Sequence, residues 1–165
     1  FSSKLKRAIS TAKLLNGKQI IEDNLINEIN YGDAEGMTYT DLIKAYPKIK
    51  KQWDLKKDPK FPLGENNRDV LSRLNKFLKK NIYNTEIKKL GVVTHNVVIR
   101  LLLSKLYKID MSLNYRFVVD NCEKISFRVF CNLIGDSNMI IEQSKSFIKS
   151  NRLFRPFFFG KKPSK

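Results

Sequence analysis

At 165 residues the chain has the size of one domain, long enough to bury a real core. A hydrophobic share of 42% with 11% aromatic residues argues against disorder, and no apolar stretch reaches the roughly 18–20 residues needed to cross a bilayer. Lysine and arginine total 32 against 16 acids, a net charge of +16, which favours anionic partners without saying which kind.

In chain order, "FSSKLKRA" opens on what reads as a strand end and a helix cap, so the domain is expected to lack its beginning. Ser2 and Ser3 are candidate N-caps. Leu5, Ala8, Ile9, Ala12 and Leu15 follow at helical spacing, and Asn16–Gly17 supplies a stop. Residues 25–38 read as a structured loop, and a short helix over Asp41–Tyr46 ends before Pro47. Residues 47–66 carry three prolines and many lysines and read as a long connection of the kind that forms lids or binding loops. Asn66 or Asn67 caps a helix whose stripe is Val70, Leu71, Leu74, Phe77 and Leu78.

Leu90–Thr94 reads as a buried strand and Val97–Tyr107 as a helix, a strand–turn–helix of the α/β kind. Residues 124–132 and 138–143 read as two strands around "GDSN". Cys122 and Cys131 stand nine apart in that region, too far along an extended chain to bridge. A reducing cytoplasm is therefore the expected location. From Ser144 onward there are seven cations, five phenylalanines and no acid, which predicts an appended tail over 144–165 behind a domain of 1–143.

Three side chains could carry chemistry. His95, the one histidine of the sequence, stands where a strand feeds a helix, at the edge where α/β folds bind ligands. The helix dipole favours an anion at the same spot. Arg7 sits in the first turns of a helix, against the dipole, where its planar fork suits a phosphate. Glu28, in "INEINYG", becomes a proton donor or acceptor if held beside a phosphate leaving group.

Together and in order, these blocks resemble the histidine phosphatase superfamily, the phosphoglycerate-mutase-like enzymes. "SSKLKRAISTA" is similar to that family's SSxLxRAxxTA stretch, and "INEINYGDAEG" to its LxExxxGxWEG loop. "FPLGENNRDVLSRLNKFL" resembles its PxGES…R helix and "GVVTHNVVIRLLL" its VVSHGGVIRxLL segment. "VVDNCEKISFRVF" resembles its terminal NCS-like strand. The resemblance implies an α/β three-layer sandwich with a largely parallel sheet, helices on both faces, and an N-terminal truncation here. It implies that Arg7 grips the transferred phosphoryl group, Glu28 gives a proton to the leaving oxygen and His95 stabilises the phosphoryl charge. Tyr31 falls where mutase-like members contact substrate, and Asn96 where a backbone approach to phosphate is expected.

The family's nucleophile belongs to an RHG strand that this sequence does not contain, and the family's GG after His95 is Asn96–Val97. The family's tryptophan before EG is Ala34, and its serine of GES is Asn66. The resulting expectation is the later part of a phosphatase that hydrolyses a small phosphate monoester through a phosphohistidine. Region 37–66 lacks the paired arginines with which mutases clamp a carboxylate, so a phosphatase is preferred to a mutase-type phosphotransferase. The alternatives are an inactive phosphate-binding or interaction protein of the same fold, or a nucleic-acid or membrane-surface binder driven by the tail. No recognised motif supports nucleic-acid binding. A small phosphorylated metabolite and a missing N-terminal fragment are the expected partners. One histidine and two distant cysteines predict no metal site, and no cofactor is implied.

Overall fold

The computed structural model describes residues 1–15, 19–83, 90–126, 130–131 and 137–138. Five helices frame it: α1 (Lys6–Leu14), α2 (Tyr39–Ala45), α3 (Pro47–Asp54), α4 (Asn67–Leu78) and α5 (Asn96–Leu106). Three 3₁₀ turns, Asn24–Ile26, Gly32–Ala34 and Met111–Arg116, lie between them, and α4 runs on into a π-helical turn at Lys79–Tyr83. A two-residue antiparallel ladder joins β1 (Phe130–Cys131) to β2 (Ser137–Asn138). Its pairs are Phe130 with Asn138 and Cys131 with Ser137. The tail from residue 144, the helix stop at Asn16–Gly17 and most of 127–143 lie outside the described residues.

Helix α4 shows how local chemistry sets an element. Asn66 accepts the Asp69 amide at 3.0 Å while Asp69 takes the Asn66 amide at 3.2 Å, a reciprocal cap. The Asp58 carboxylate adds the amides of Asn67 and Arg68 at 3.1 and 3.0 Å, so the first turn's free donors are met and its dipole is complemented. Behind that cap Val70, Leu74, Phe77 and Leu78 are buried on one face. They pack with Ile26, Ile29, Val98 and Leu101 into the main core, each fully buried side chain contributing about 1.5–3 kcal/mol. A smaller cluster of Leu103, Phe117 and Val119 lies at the other side of α5.

Near the N-terminus, residues 1–3 run parallel between two extended segments. Ser2 bridges in parallel to Glu22 on one side and to Val93 on the other. The Ser3 and Val93 amides close that second side at 3.0 Å each, on Val93 and Phe1 carbonyls.

Four expectations need correction. The N-cap of α1 is Leu5, without a side-chain cap, because Ser3 is turned inward to other partners. Residues 47–66 are not one open connection: Pro47 starts α3 at the position where a missing N–H costs nothing. Leu90–Thr94 is extended and parallel-paired, but Val92 is 38% exposed; an apolar run does not reveal what covers each of its faces. Residues 124–126 are not strand, and Cys122 sits exposed in a turn with φ of 59°; Ser137, read as part of the turn, belongs to β2.

Candidate functional site

The site grows from the N-terminus of α5. His95 is its N-cap residue, with extended backbone, and is 7% exposed. Its Nε2 lies 2.7 Å from the Ser3 Oγ across 92 positions of sequence. The Glu28 carboxylate reaches the same helix end: it accepts the Ile29 amide at 3.1 Å and also the Val97 amide, in the first turn of α5. Arg7, exposed on the first turn of α1, lowers the proton affinity of both His95 and Glu28 through its positive field. An imidazole, a carboxylate and a guanidinium that are remote in sequence thus share one electrostatic neighbourhood.

Tyr31 stands beside them. Burial and the charges of Glu28 and Glu35 push its phenol above the ordinary value, against the pull of Arg100. Its ring lies edge-on to Phe61 at 5.0 Å. The Asn96 side chain has a structural partner: its Nδ2 donates to the Val119 carbonyl at 3.0 Å, which ties the 117–119 segment to α5.

Burial raises Glu28 above the ordinary carboxylate range, offset in part by the two amides and by Arg7 and Arg73. Burial, with the fields of Arg7 and Arg73, lowers His95 to about 4. Burial thus works against the charged form of both groups. Between pH 6.5 and about 4 the unfolded chain binds a proton on His95 that the folded chain does not, so stability falls on acidification across that window. Glu28 acts with opposite sign, since the folded state holds its proton more tightly. The expected His95 contribution is at most about 3 kcal/mol. Urea unfolding at pH 7 and pH 4 checks it: the chain loses more stability than His95→Gln does, and equal losses would refute the coupling.

Arg73 on α4 is what holds Glu28 in place, and the sequence reading gave it no role. Its Nε and Nη2 bind the two Glu65 oxygens at 2.9 and 3.0 Å. Nη1 donates to the carbonyls of Leu25 and Asn27 at 2.9 and 2.7 Å, and Nη2 to that of Glu28 at 3.1 Å. Glu65 in turn accepts the Asn30 amide at 2.9 Å. The 30–33 and 62–65 segments then meet backbone to backbone, through Glu65 N to Asn30 O at 2.8 Å and Asp33 N to Pro62 O at 3.0 Å. Glycines at 32 and 64 permit that approach. Gly32 has φ of 56°, and a Cβ there would run into the Pro62 carbonyl. The arginine of the "GENNRDVLSR" segment was the signal available for this hub; Ser3 and Asn27 gave none beyond their capping propensity.

Region 37–66 also borders a cavity of about 460 Å³ lined by residues including Tyr46, Ile49, Gln52 and Pro59. It contains none of Arg7, Glu28, Tyr31, His95 or Asn96, so the polar convergence, rather than this hollow, marks the site. Among the described residues no helix is long and apolar enough to cross a membrane.

Comparison with known proteins supplies the family context. The sequence pattern of the histidine phosphatase superfamily (branch 1) matches residues 1–130. Phosphoserine phosphatase 1 of Hydrogenobacter thermophilus is 30% identical over 128 residues, covering 73% of this chain and 59% of that protein. The Bacillus subtilis protein named Uncharacterized phosphatase PhoE is 32% identical over 124 residues, with the same coverage of 73% and 59%. The chain thus spans less than two thirds of the length of either relative. Bacillus stearothermophilus YhfR has the same fold, with a TM-score of 0.60 at 21% identity over 85% of this chain and 70% of that one.

Proposed function

The chain belongs to the histidine phosphatase superfamily, and from that premise we propose that it forms the phosphate-gripping and proton-donating part of an enzyme that hydrolyses a small phosphate monoester. In this reading Arg7 binds the phosphoryl oxygens, His95 stabilises their charge and Glu28 protonates the leaving oxygen. Tyr31 borders the leaving group, and Asn96 contributes through its backbone at the helix N-terminus. The observation that carries the reading is that Glu28 and His95 stand together at the start of α5, within the positive field of Arg7. Phosphoryl transfer needs positive donors around the equatorial oxygens, an in-line nucleophile and a proton for the departing oxygen.

The nucleophile of the reading is a histidine on an Arg-His-Gly strand contributed from outside these 165 residues. It attacks phosphorus, the ester oxygen leaves with the Glu28 proton, and water then releases phosphate from the phosphohistidine. The wider reading is a three-layer domain over 1–143, sheet between helices, with 144–165 appended, working on a phosphorylated metabolite in the cytoplasm. Fusing a strand segment ending in Arg-His-Gly ahead of Phe1 tests it. Hydrolysis of a generic phosphate ester should appear in the fusion, together with a trapped phosphohistidine. A folded fusion without turnover, or one that only binds phosphate, would support the inactive-binder reading instead.

A further inference from the structure

His95 has two ring nitrogens, and its surroundings decide which one carries the proton. The deciding atom is Asn27 Oδ1, which lies 2.9 Å from the Lys4 backbone nitrogen. A backbone amide only donates, so the atom facing it is the carbonyl oxygen of the Asn27 side chain and not its NH₂. The Ser3 Oγ lies 2.9 Å from the same oxygen. An oxygen of that kind only accepts, so Ser3 spends its one hydroxyl proton there. Both Ser3 lone pairs are then open to donors: the Leu5 amide at 3.2 Å takes one, and His95 Nε2 at 2.7 Å faces the other. Since Ser3 has no second proton, the hydrogen between Ser3 and His95 belongs to the imidazole.

We infer that Ser3, oriented by Asn27, is a positioning residue that fixes His95 as the Nε2–H tautomer and leaves Nδ1 as the one ring nitrogen able to meet a phosphoryl group. Ser3 is 0% exposed, so Nε2 is committed to the interior. The inference rests on the proposed phosphatase reading only for what meets Nδ1. When a monoanionic phosphate ester arrives, the O–H bond of its P–OH group breaks as Nδ1 takes the proton, and the P–O bond stays intact. The ring becomes an imidazolium donating back to the dianionic oxygen, so the proton stays between the same two atoms. The Arg73 bond to the backbone carbonyl of Asn27, 2.7 Å long, ties the residue whose side chain orients Ser3 to α4, so the loop that carries Glu28 also sets the tautomer of His95.

One histidine in the sequence makes the test direct. In the full chain labelled with ¹⁵N-histidine, long-range nitrogen–proton spectra at neutral pH should show a protonated Nε2 and a bare Nδ1. Asn27→Asp, which keeps an acceptor oxygen, should retain that pattern. Asn27→Ala frees the Ser3 proton to point at Nε2 and should move the ring toward the Nδ1–H form. An Nδ1–H pattern in the unaltered chain, or an unaltered pattern in Asn27→Ala, overturns the inference. The tautomer is read without substrate, so an Nε2–H result in a chain whose fusion never turns over upholds the tautomer and removes only the phosphatase reading.

Discussion

Exchanging Arg73 for methionine destabilises the chain by about 3–5 kcal/mol, the range for removing one partner of a buried ion pair. The pair is sheltered, with side chains 15% and 23% exposed for Arg73 and Glu65, so water replaces little of what is lost. Three carbonyls, of Leu25, Asn27 and Glu28, lose their donor in the same step. An unpaired buried acceptor is costly in itself. Arg73→Lys recovers only part, since one ammonium cannot serve a bidentate carboxylate and three carbonyls at once. The double variant Arg73→Met with Glu65→Met loses less than the two single losses added, because no stranded carboxylate remains. It does not return to the starting value, because the carbonyls stay unpaired. Urea denaturation of the unaltered chain, the single variants Arg73→Met, Arg73→Lys and Glu65→Met, and the double variant gives these differences directly, and an Arg73→Met loss under about 1 kcal/mol would show that solvent or a neighbour satisfies the loop.

Which parts of this architecture could be read in the sequence follows the range of the interactions. The α4 stripe and its Asn66 cap are local: the apolar residues and the Asn66–Asp69 cap all fall between Asn66 and Leu78, and both were legible. The turn at Thr94–Asn96 was legible for the same reason, since an apolar strand-like run, a polar break and a second apolar run have few other realisations. Pro47 was misread because proline ends one helix and begins another with equal ease, and only tertiary packing of Ile49 decides. Ser3 was misread because its partner His95 is 92 residues away; a serine before a helix looks like a cap whatever it does. Arg73 was overlooked because its acceptors at Leu25, Asn27 and Glu28 are backbone carbonyls 45–48 positions away, and carbonyls have no signature in sequence. The convergence of Arg7, Glu28 and His95 came from the ordered family blocks, not from spacing, since no local period links positions 7, 28 and 95.

Once the chain is fused to a segment that supplies the nucleophile, Arg7→Ala lowers kcat/KM for a phosphate monoester by about 10²–10³-fold, the usual effect of removing one preorganised donor from a developing oxyanion. Arg7→Lys falls between, keeping the charge and losing the fork. Glu28→Gln behaves differently, and the difference identifies its role. A proton donor matters when the departing oxygen is strongly basic, so an alkyl phosphate loses about 10²–10⁴-fold. An aryl phosphate whose phenolate departs without a proton loses little. Raised above its ordinary range by burial, Glu28 is suited to hold that proton. Its contacts with the Ile29 and Val97 amides keep it at the α5 N-terminus, beside the imidazole that in the proposed reading meets the same phosphoryl group. Equal losses for alkyl and aryl esters in Glu28→Gln would recast Glu28 as a structural carboxylate and leave Arg7 and His95 as a binding site without a proton donor.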